Sequence, residues 1–188
     1  KIYNLDCLVG LKLLPDEWTK EFFGWPGLGD QPHDPKIKCI NDLVELVNAK
    51  ISKPVDLVAQ SIGGLIAARI ALDKPTLVRR LVLVATSAGV DMKKFGANDW
   101  RADYQRLFPH AAKWIVHHSE TADIPVERVI TPTLLIWGDA DPISPVSVGL
   151  HLEHRIPNSK LHVVPGGDHS VAFNKSETVA NLIAQHLK

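Results

Sequence analysis

Three short apolar runs constrain the fold of this 188-residue chain more than any other feature. They are Leu81–Val84, Thr133–Trp137 and Leu161–Val164. Runs of leucine and β-branched residues without strict polar alternation are typical of strands that are buried on both faces of a parallel sheet. Parallel strands need a crossover connection, which is usually a helix, and residues 62–72 and 178–187 have helical spacing. The pattern therefore predicts an α/β fold.

Further elements complete this interpretation. Val55–Ala59 predicts a strand, Asp42–Lys50 a helix, and Leu5–Val9 a first strand. Glycine and proline between positions 24 and 30 indicate a loop. The length fits one domain over residues 1–188, with a mostly parallel sheet flanked by helices.

Residues 87–130 depart from this pattern and predict a small helical cap inserted over the sheet. Apolar residues are sparser here, no strand-like run occurs, and aromatic residues cluster. The aromatics are Phe95, Trp100, Tyr104, Phe108 and Trp114.

Charge and composition restrict the partners. The 21 Lys and Arg residues balance 21 Asp and Glu residues, so no net field would recruit nucleic acid or an anionic membrane. No run reaches the roughly 20 apolar residues that a membrane span needs. Cys7 and Cys39 are too few for a disulfide framework, which favours a reducing compartment. We therefore expect a small-molecule ligand and a cytoplasmic location.

The hexapeptide Ala59-Gln60-Ser61-Ile62-Gly63-Gly64 lies where a predicted buried strand meets a predicted helix. A nucleophile elbow has a serine at such a junction in a strained backbone conformation, with small residues two positions before and after it. Ala59 and Gly63 meet that requirement. A serine at a helix N-terminus is also favourably placed for developing negative charge. A serine that merely packs in a glycine-rich junction is the structural alternative.

Serine needs a base to activate it and an acid to orient that base. Asp141 follows one predicted buried strand and His169 follows the last one, so both emerge at the sheet edge that carries Ser61. Taken singly, Asp141 could equally be a turn residue and His169 a surface histidine. Their joint occurrence favours a Ser61-Asp141-His169 triad.

These motifs resemble the α/β-hydrolase superfamily, and in particular its serine esterases: small carboxylesterases and biotin-pathway methyl esterases. The resemblance rests on the elbow, on Trp137-Gly138-Asp139-Ala140-Asp141-Pro142 and on Gly166-Gly167-Asp168-His169, in the order serine, acid, histidine. It implies Asp141 as the acid, ahead of Asp139 and Asp168. The short separation of serine and acid implies a reduced cap.

The resemblance also implies an oxyanion hole. Ile62 supplies one backbone N–H group. When positions are counted back from Trp18, Leu11 supplies the second, and the neighbouring Gly10 is expected to contact the substrate. Val9 and Gly24 replace the histidine and aspartate that the family usually has at these places. The family's two N-terminal antiparallel strands are absent. The exposed edge would favour a homodimer, or the chain, which starts at Lys1, has lost upstream residues.

Several cap residues have two interpretations. Trp100, Tyr104, Phe108 and Trp114 either line an apolar acyl pocket or pack a core. The cations Arg101, Arg106 and Lys113 also have two interpretations. They bind an anionic partner, which is a substrate carboxylate or an acidic carrier protein, or they form a solvated surface. His117, His118 and Asp123 lack zinc-ligand spacing, so no metal is expected.

The resemblance predicts ester hydrolysis without a cofactor on a small-molecule substrate. Ser61 at the elbow argues against dehalogenase and epoxide hydrolase relatives, which use aspartate there. Carbon–carbon bond hydrolysis by the same triad is a second reading. A ligand-binding protein that has lost catalysis is a third.

Overall fold

The computed structural model describes the backbone of residues 2–5, together with residues 13–117 and 124–188. Within these residues, six strands form one sheet in the order β2-β1-β3-β4-β5-β6, and every neighbouring pair is parallel. The strands are β1 (Ile2–Leu5), β2 (Lys20–Phe23), β3 (Val55–Gln60), β4 (Val78–Val84), β5 (Thr133–Gly138) and β6 (Ser159–Val164).

The central strands are buried on both faces because their apolar runs send alternate side chains to opposite sides. The run in β6 was also predicted to be buried on both faces, but β6 lies at the sheet edge and is only partly buried, with Val163 exposed. In β4, Leu81 and Leu83 enter one core cluster, whereas Val82 and Val84 enter the other. Each of these four side chains is fully buried. The missing polar alternation in the sequence therefore reflects two cores, one on each face.

Helices cover the two faces. The helices are α1 (Ile40–Asn48), α2 (Ile62–Asp73), α3 (Arg101–Leu107), α4 (Trp114–His117), α5 (Val146–Arg155), α6 (Val171–Asn174) and α7 (Ser176–His186). Buried residues of α1, α2 and α5 belong to the cluster on the first face, and those of α6 and α7 belong to the cluster on the second. The predicted α/β class and mostly parallel sheet are confirmed.

The structure differs from the sequence prediction at the N-terminal side. The strand expected at Leu5–Val9 appears as β1, Ile2–Leu5, and residues 6–12 lie outside the described part of the chain. Strand β2 was not predicted, because Lys20-Glu21-Phe22-Phe23 is short, half charged and at the sheet edge. Among the described residues no strand is antiparallel.

Two helices also differ from the prediction. Helix α1 begins at Ile40 rather than Asp42, because the Asp42 carboxylate accepts hydrogen bonds from the backbone N–H groups of Lys38 and Cys39 and caps the turn before it. Helix α5 was not predicted, since Gly149 and several polar residues weaken its pattern. A Cβ atom at Gly149 would lie 2.9 Å from the Trp137 ring, so close packing explains this glycine.

The segment predicted as a cap, residues 87–130, contains α3, α4 and short 3-10 helices at Met92–Phe95 and Val126–Arg128. Residues 118–123 within it are not described. None of the residues of α3 is buried. A separate cap insertion stays a prediction.

None of the helices in the described ranges has the length and apolar character that crossing a bilayer would require. The cytoplasmic location and the homodimer remain predictions.

We expect Leu81→Ala to lower the free energy of unfolding by about 2–5 kcal/mol, because it leaves a cavity in the central strand β4. Leu150→Ala makes the same chemical change on α5, where the side chain is 54% exposed, and should change stability by less than about 0.5 kcal/mol. Urea denaturation measures both. Equal losses in the two variants would contradict the assignment of β4 to the core.

Candidate active site

Ser61 occupies a strained turn between β3 and α2. Its φ is 50° and its ψ is −124°, a conformation that residues other than glycine rarely adopt. Three hydrogen bonds hold the turn: Ser61 N–H donates to the Val84 carbonyl at 3.0 Å, and the Ser61 carbonyl accepts from Thr86 Oγ1 at 2.6 Å and from Gly64 N at 3.0 Å. The surroundings therefore over-determine the conformation, as strained functional turns require.

Small residues around this turn allow strand and helix to approach each other. Ala59 and Gly63, the two positions singled out in the sequence, are both buried. The tightest approach occurs at Gly64, where a Cβ atom would lie 2.4 Å from Thr86 Oγ1. Sequence reasoning did not assign this role to Gly64, although the Gly63-Gly64 pair is a signal for it.

The structure brings the three predicted triad residues together. His169 Nε2 lies 3.1 Å from Ser61 Oγ, and His169 Nδ1 lies 2.9 Å from Asp141 Oδ2. For Nε2 to accept the serine proton, Nδ1 must carry the ring hydrogen and donate it to Asp141. Gln60 Nε2 donates to the His169 carbonyl at 2.7 Å and helps to hold the histidine loop next to the elbow.

Asp141 is fixed by its own loop. Its side chain is fully buried, and Oδ1 accepts hydrogen bonds from the backbone N–H groups of Ile143 at 2.8 Å and Ser144 at 2.9 Å. These donors leave Oδ2 directed at His169. Ser144 Oγ also accepts from Trp137 Nε1 at 3.0 Å, which ties the loop to β5.

A close backbone contact joins the loop that carries the acid to the loop that carries the histidine. A Cβ atom at Gly138 would lie 2.1 Å from the Gly167 carbonyl oxygen, and one at Gly167 would lie 2.9 Å from Gly138 Cα. Ala140 N–H donates to the Gly167 carbonyl at 2.9 Å. Only glycine allows this approach, which sets the distance between Asp141 and His169.

The two rival acids have other partners. Asp139 Oδ1 accepts from Gly166 N at 2.6 Å, so this side chain braces the histidine loop. Asp168 Oδ1 accepts from Ser170 N at 2.8 Å, and both of its oxygens accept from Asn174 Nδ2 at 3.1 Å. Neither carboxylate is hydrogen-bonded to the His169 ring.

Ile62 begins helix α2, so its backbone N–H has no intrahelical acceptor and lies beside Ser61. This position suits a donor to a developing oxyanion. Leu11 and Gly10, the other predicted residues of the oxyanion loop, lie outside the described residues, and their roles stay predictions.

A cavity of about 720 Å³ opens beside the triad. Ser61, Ile62 and His169 line it on one side, and the loop of residues 23–31 and the segment around α3 form its other walls. Most lining residues are apolar, which is typical of a pocket for a small organic ligand.

Three of the four predicted aromatics line this cavity: Trp100, Tyr104 and Phe108. Their rings are in contact in sequence order, with centroids 5.5 Å apart for the first pair and 5.1 Å for the second. Trp114 is not among the residues that line this cavity and packs against the core cluster, which is the second of its two interpretations from the sequence; a role in substrate binding stays a prediction. Trp100 and Tyr104 do both, since they contact the same core cluster.

Arg101, Arg106 and Lys113, the basic residues singled out in the segment predicted as a cap, do not line the cavity. Arg101 Nη1 pairs with Asp99 at 2.9 Å, and Arg106 Nη2 pairs with Asp103 at 2.8 Å. The hydrogen bonds from Arg101 hold the pKa of the Asp99 carboxyl below its usual value. Lys113 is exposed on the surface. These positions do not suit cations that receive a substrate carboxylate in the pocket.

In the described part of the chain, no group of three histidine, cysteine, aspartate or glutamate side chains is placed to hold a metal ion. His118 and Asp123 lie in the segment that is not described.

Comparison with protein families matches residues 32–121 to the model described as alpha/beta hydrolase fold, and residues 99–188 to one described as TAP-like protein. Among curated proteins, the chain is 25% identical to a pimeloyl-[acyl-carrier protein] methyl ester esterase of Neisseria meningitidis, over 90% of this chain and 68% of that protein. It is 24% identical to the mouse serine hydrolase BPHL, over 91% of this chain and 68% of that protein.

Among solved structures, the enol-lactonase from Burkholderia xenovorans superposes with a TM-score of 0.75 at 15% identity. The match covers 99% of this chain and 90% of that structure. At this identity the likeness establishes the fold alone.

The contact between Gly138 and Gly167 generates a prediction. Gly138→Ala should destabilise the protein by at least about 2 kcal/mol and abolish activity, because the added methyl group forces the acid and histidine loops apart. Gly24→Ala is a matched control for stability, since its Cβ would meet only the flexible end of Gln31 at 3.1 Å. Thermal unfolding of both variants measures the difference, and a Gly138→Ala protein as stable as the control would refute the contact.

Proposed function

We propose that this chain is a serine hydrolase of the α/β-hydrolase superfamily and that it cleaves carboxylic esters through an acyl-enzyme on Ser61. The observation that carries the proposal is the continuous hydrogen-bonded path from Ser61 Oγ through His169 to Asp141 at the wall of the cavity. The relatives are named as esterases and hydrolases, which supports action on ester bonds.

In the first half-reaction, His169 Nε2 accepts the proton of Ser61 Oγ as the oxygen attacks the ester carbonyl carbon. The carbonyl oxygen becomes an oxyanion, and the N–H of Ile62 is placed to donate to it. His169 then donates its proton to the departing alcohol, and an ester of Ser61 with the acyl group remains. Asp141 stabilises the imidazolium that exists between the two proton transfers.

In the second half-reaction, His169 accepts a proton from water, and the resulting nucleophile attacks the acyl-enzyme. The carboxylic acid leaves when Ser61 Oγ recovers its proton from His169. The second oxyanion donor is the predicted Leu11 N–H. The proposed mechanism uses no cofactor, and its substrate is a small-molecule ester.

The cavity supports the placement of the substrate. Its aromatic wall faces the side that carries the triad, so an acyl or alcohol group can lie against Trp100, Tyr104 and Phe108 while the carbonyl reaches Ser61. Burial of apolar groups there contributes about 25 cal/mol per Å² of apolar surface removed from water.

We expect a fluorophosphonate probe to label the native protein and not Ser61→Ala, because only an activated serine attacks phosphorus. Ser61→Ala should lower turnover of p-nitrophenyl acetate by about four orders of magnitude or more. Intact-mass spectrometry measures the labelling. Absence of both labelling and turnover in the native protein would favour the ligand-binding alternative, and labelling without ester turnover would favour carbon–carbon bond hydrolysis.

The assignment of the acid gives a matched test. Asp141→Asn should lower kcat by about 10⁴-fold. The side-chain amide that replaces the carboxylate no longer favours the His169 tautomer with its hydrogen on Nδ1, which is the tautomer that can accept the Ser61 proton at Nε2. Asp168→Asn makes the same change one residue from His169 and keeps an oxygen for Ser170 N, so kcat should change little. Steady-state kinetics on both variants measures this, and the reverse order of effects would exclude Asp141 as the acid.

A further inference from the structure

We propose that the cavity selects esters whose enclosed part carries no negative charge, and that it excludes esters ending in a carboxylate. The proposal rests on the proposed function and specifies its substrate class. It is based on the charged side chains that line the cavity and on the ion pairs that the neighbouring arginines Arg101 and Arg106 already form.

The charged groups on the cavity wall are carboxylates. Asp30, Asp99 and Asp103 line it, and within the described residues no lysine or arginine does so. Asp30 and Asp103 are exposed residues, and so is Leu107, another lining residue. We therefore place these side chains at the opening, whereas Ser61 and His169 are partly buried farther inside.

The two nearest arginines already have partners. Arg106 pairs with Asp103. Arg101 pairs with Asp99, donates through Nε to the Val116 carbonyl at 3.1 Å, and lies 5.3 Å from the centre of the Trp100 ring. In both pairs the carboxylate lines the cavity and the guanidinium does not.

A substrate carboxylate inside this cavity would lose hydration, and the described residues that line the cavity supply no lysine or arginine in return. An ion that leaves water without a partner is strongly disfavoured in an apolar environment. Asp30, the lining aspartate outside these two ion pairs, adds repulsion at the opening and slows the approach of an anion. An uncharged apolar group loses no ionic hydration in the cavity and is not repelled by a carboxylate, and a cationic group is not repelled by a carboxylate either.

This arrangement also bears on the acidic carrier protein considered from the sequence. Two of the three cations predicted to receive such a partner, Arg101 and Arg106, pair with Asp99 and Asp103, whereas Lys113 is exposed on the surface. The proposal therefore concerns the part of the ester that enters the cavity.

Two methyl esters of equal size test the proposal. Monomethyl succinate ends in a carboxylate, whereas methyl 4-methylpentanoate has an isopropyl group at that position, and both acyl chains are short enough to end inside the cavity. We expect kcat/KM to be at least about 100-fold higher for the neutral ester. Equal kcat/KM values, or a preference for monomethyl succinate, would overturn the proposal.

Binding to Ser61→Ala, measured by calorimetry, separates this proposal from the proposed function. The affinity of the two esters for this variant does not depend on catalysis, so the same preference is expected even if the native protein hydrolyses neither. Equal dissociation constants would overturn charge selection while leaving fluorophosphonate labelling of Ser61 unaffected.

A substitution at the cavity opening tests the converse, namely that an added positive charge improves the turnover of the anionic ester. Leu107 is 64% exposed, so Leu107→Lys should fold and place an ammonium group beside the entrance. Relative to Leu107→Gln, which adds polarity without charge, Leu107→Lys should raise the succinate-to-neutral ratio of kcat/KM by about fivefold. Identical ratios in the two variants would contradict a selection based on charge.

Discussion

The strained backbone at Ser61 is the feature on which the site depends. A φ of 50° costs free energy in any residue with a Cβ atom, and it persists here because the next strand holds both sides of the turn. Val84 at the end of β4 accepts from Ser61 N, and Thr86 just beyond it donates to the Ser61 carbonyl. Ser61 is therefore positioned by the parallel register of β3 and β4, which places Gln60 opposite Val84.

The other two triad residues depend on the same sheet edge through a different contact. Strands β5 and β6 end side by side, with Gly138 paired to Val164. The loops that follow them touch through Gly138 and Gly167, and this contact fixes Asp141 and His169 relative to each other. Asp139 strengthens this unit by accepting from Gly166 N. Asp139 thus contributes to the structure of the site, although it resembles a candidate acid in the sequence.

Much of this arrangement follows from local patterns in the sequence. The strands at β3, β4 and β5 appear as apolar runs because two cores demand apolar residues on both faces, and the parallel order then brings Ser61, Asp141 and His169 to one edge. The features that were not predicted depend on distant packing. Strand β2 is recognisable only from its pairing with β1, and the role of Gly64 only from the position of Thr86. Trp114 packs against the core rather than lining the cavity, a difference that helical spacing in the sequence does not reveal.

The substrate is the property that the shared fold specifies least, because the segment around α3, which lines the cavity, has few buried residues. None of the residues of helix α3 is buried. Two hydrogen bonds join α3 and the residues after it to the loop of residues 23–31. Gly29 N donates to the Tyr104 hydroxyl at 2.7 Å, and Ala112 N donates to the Gly27 carbonyl at 2.6 Å. Elements with little buried apolar surface contribute little to global stability, so their sequence can change without loss of the fold. The triad is instead set by the buried strands. The buried strands can therefore keep Ser61, Asp141 and His169 in place while the less buried residues at the cavity opening change.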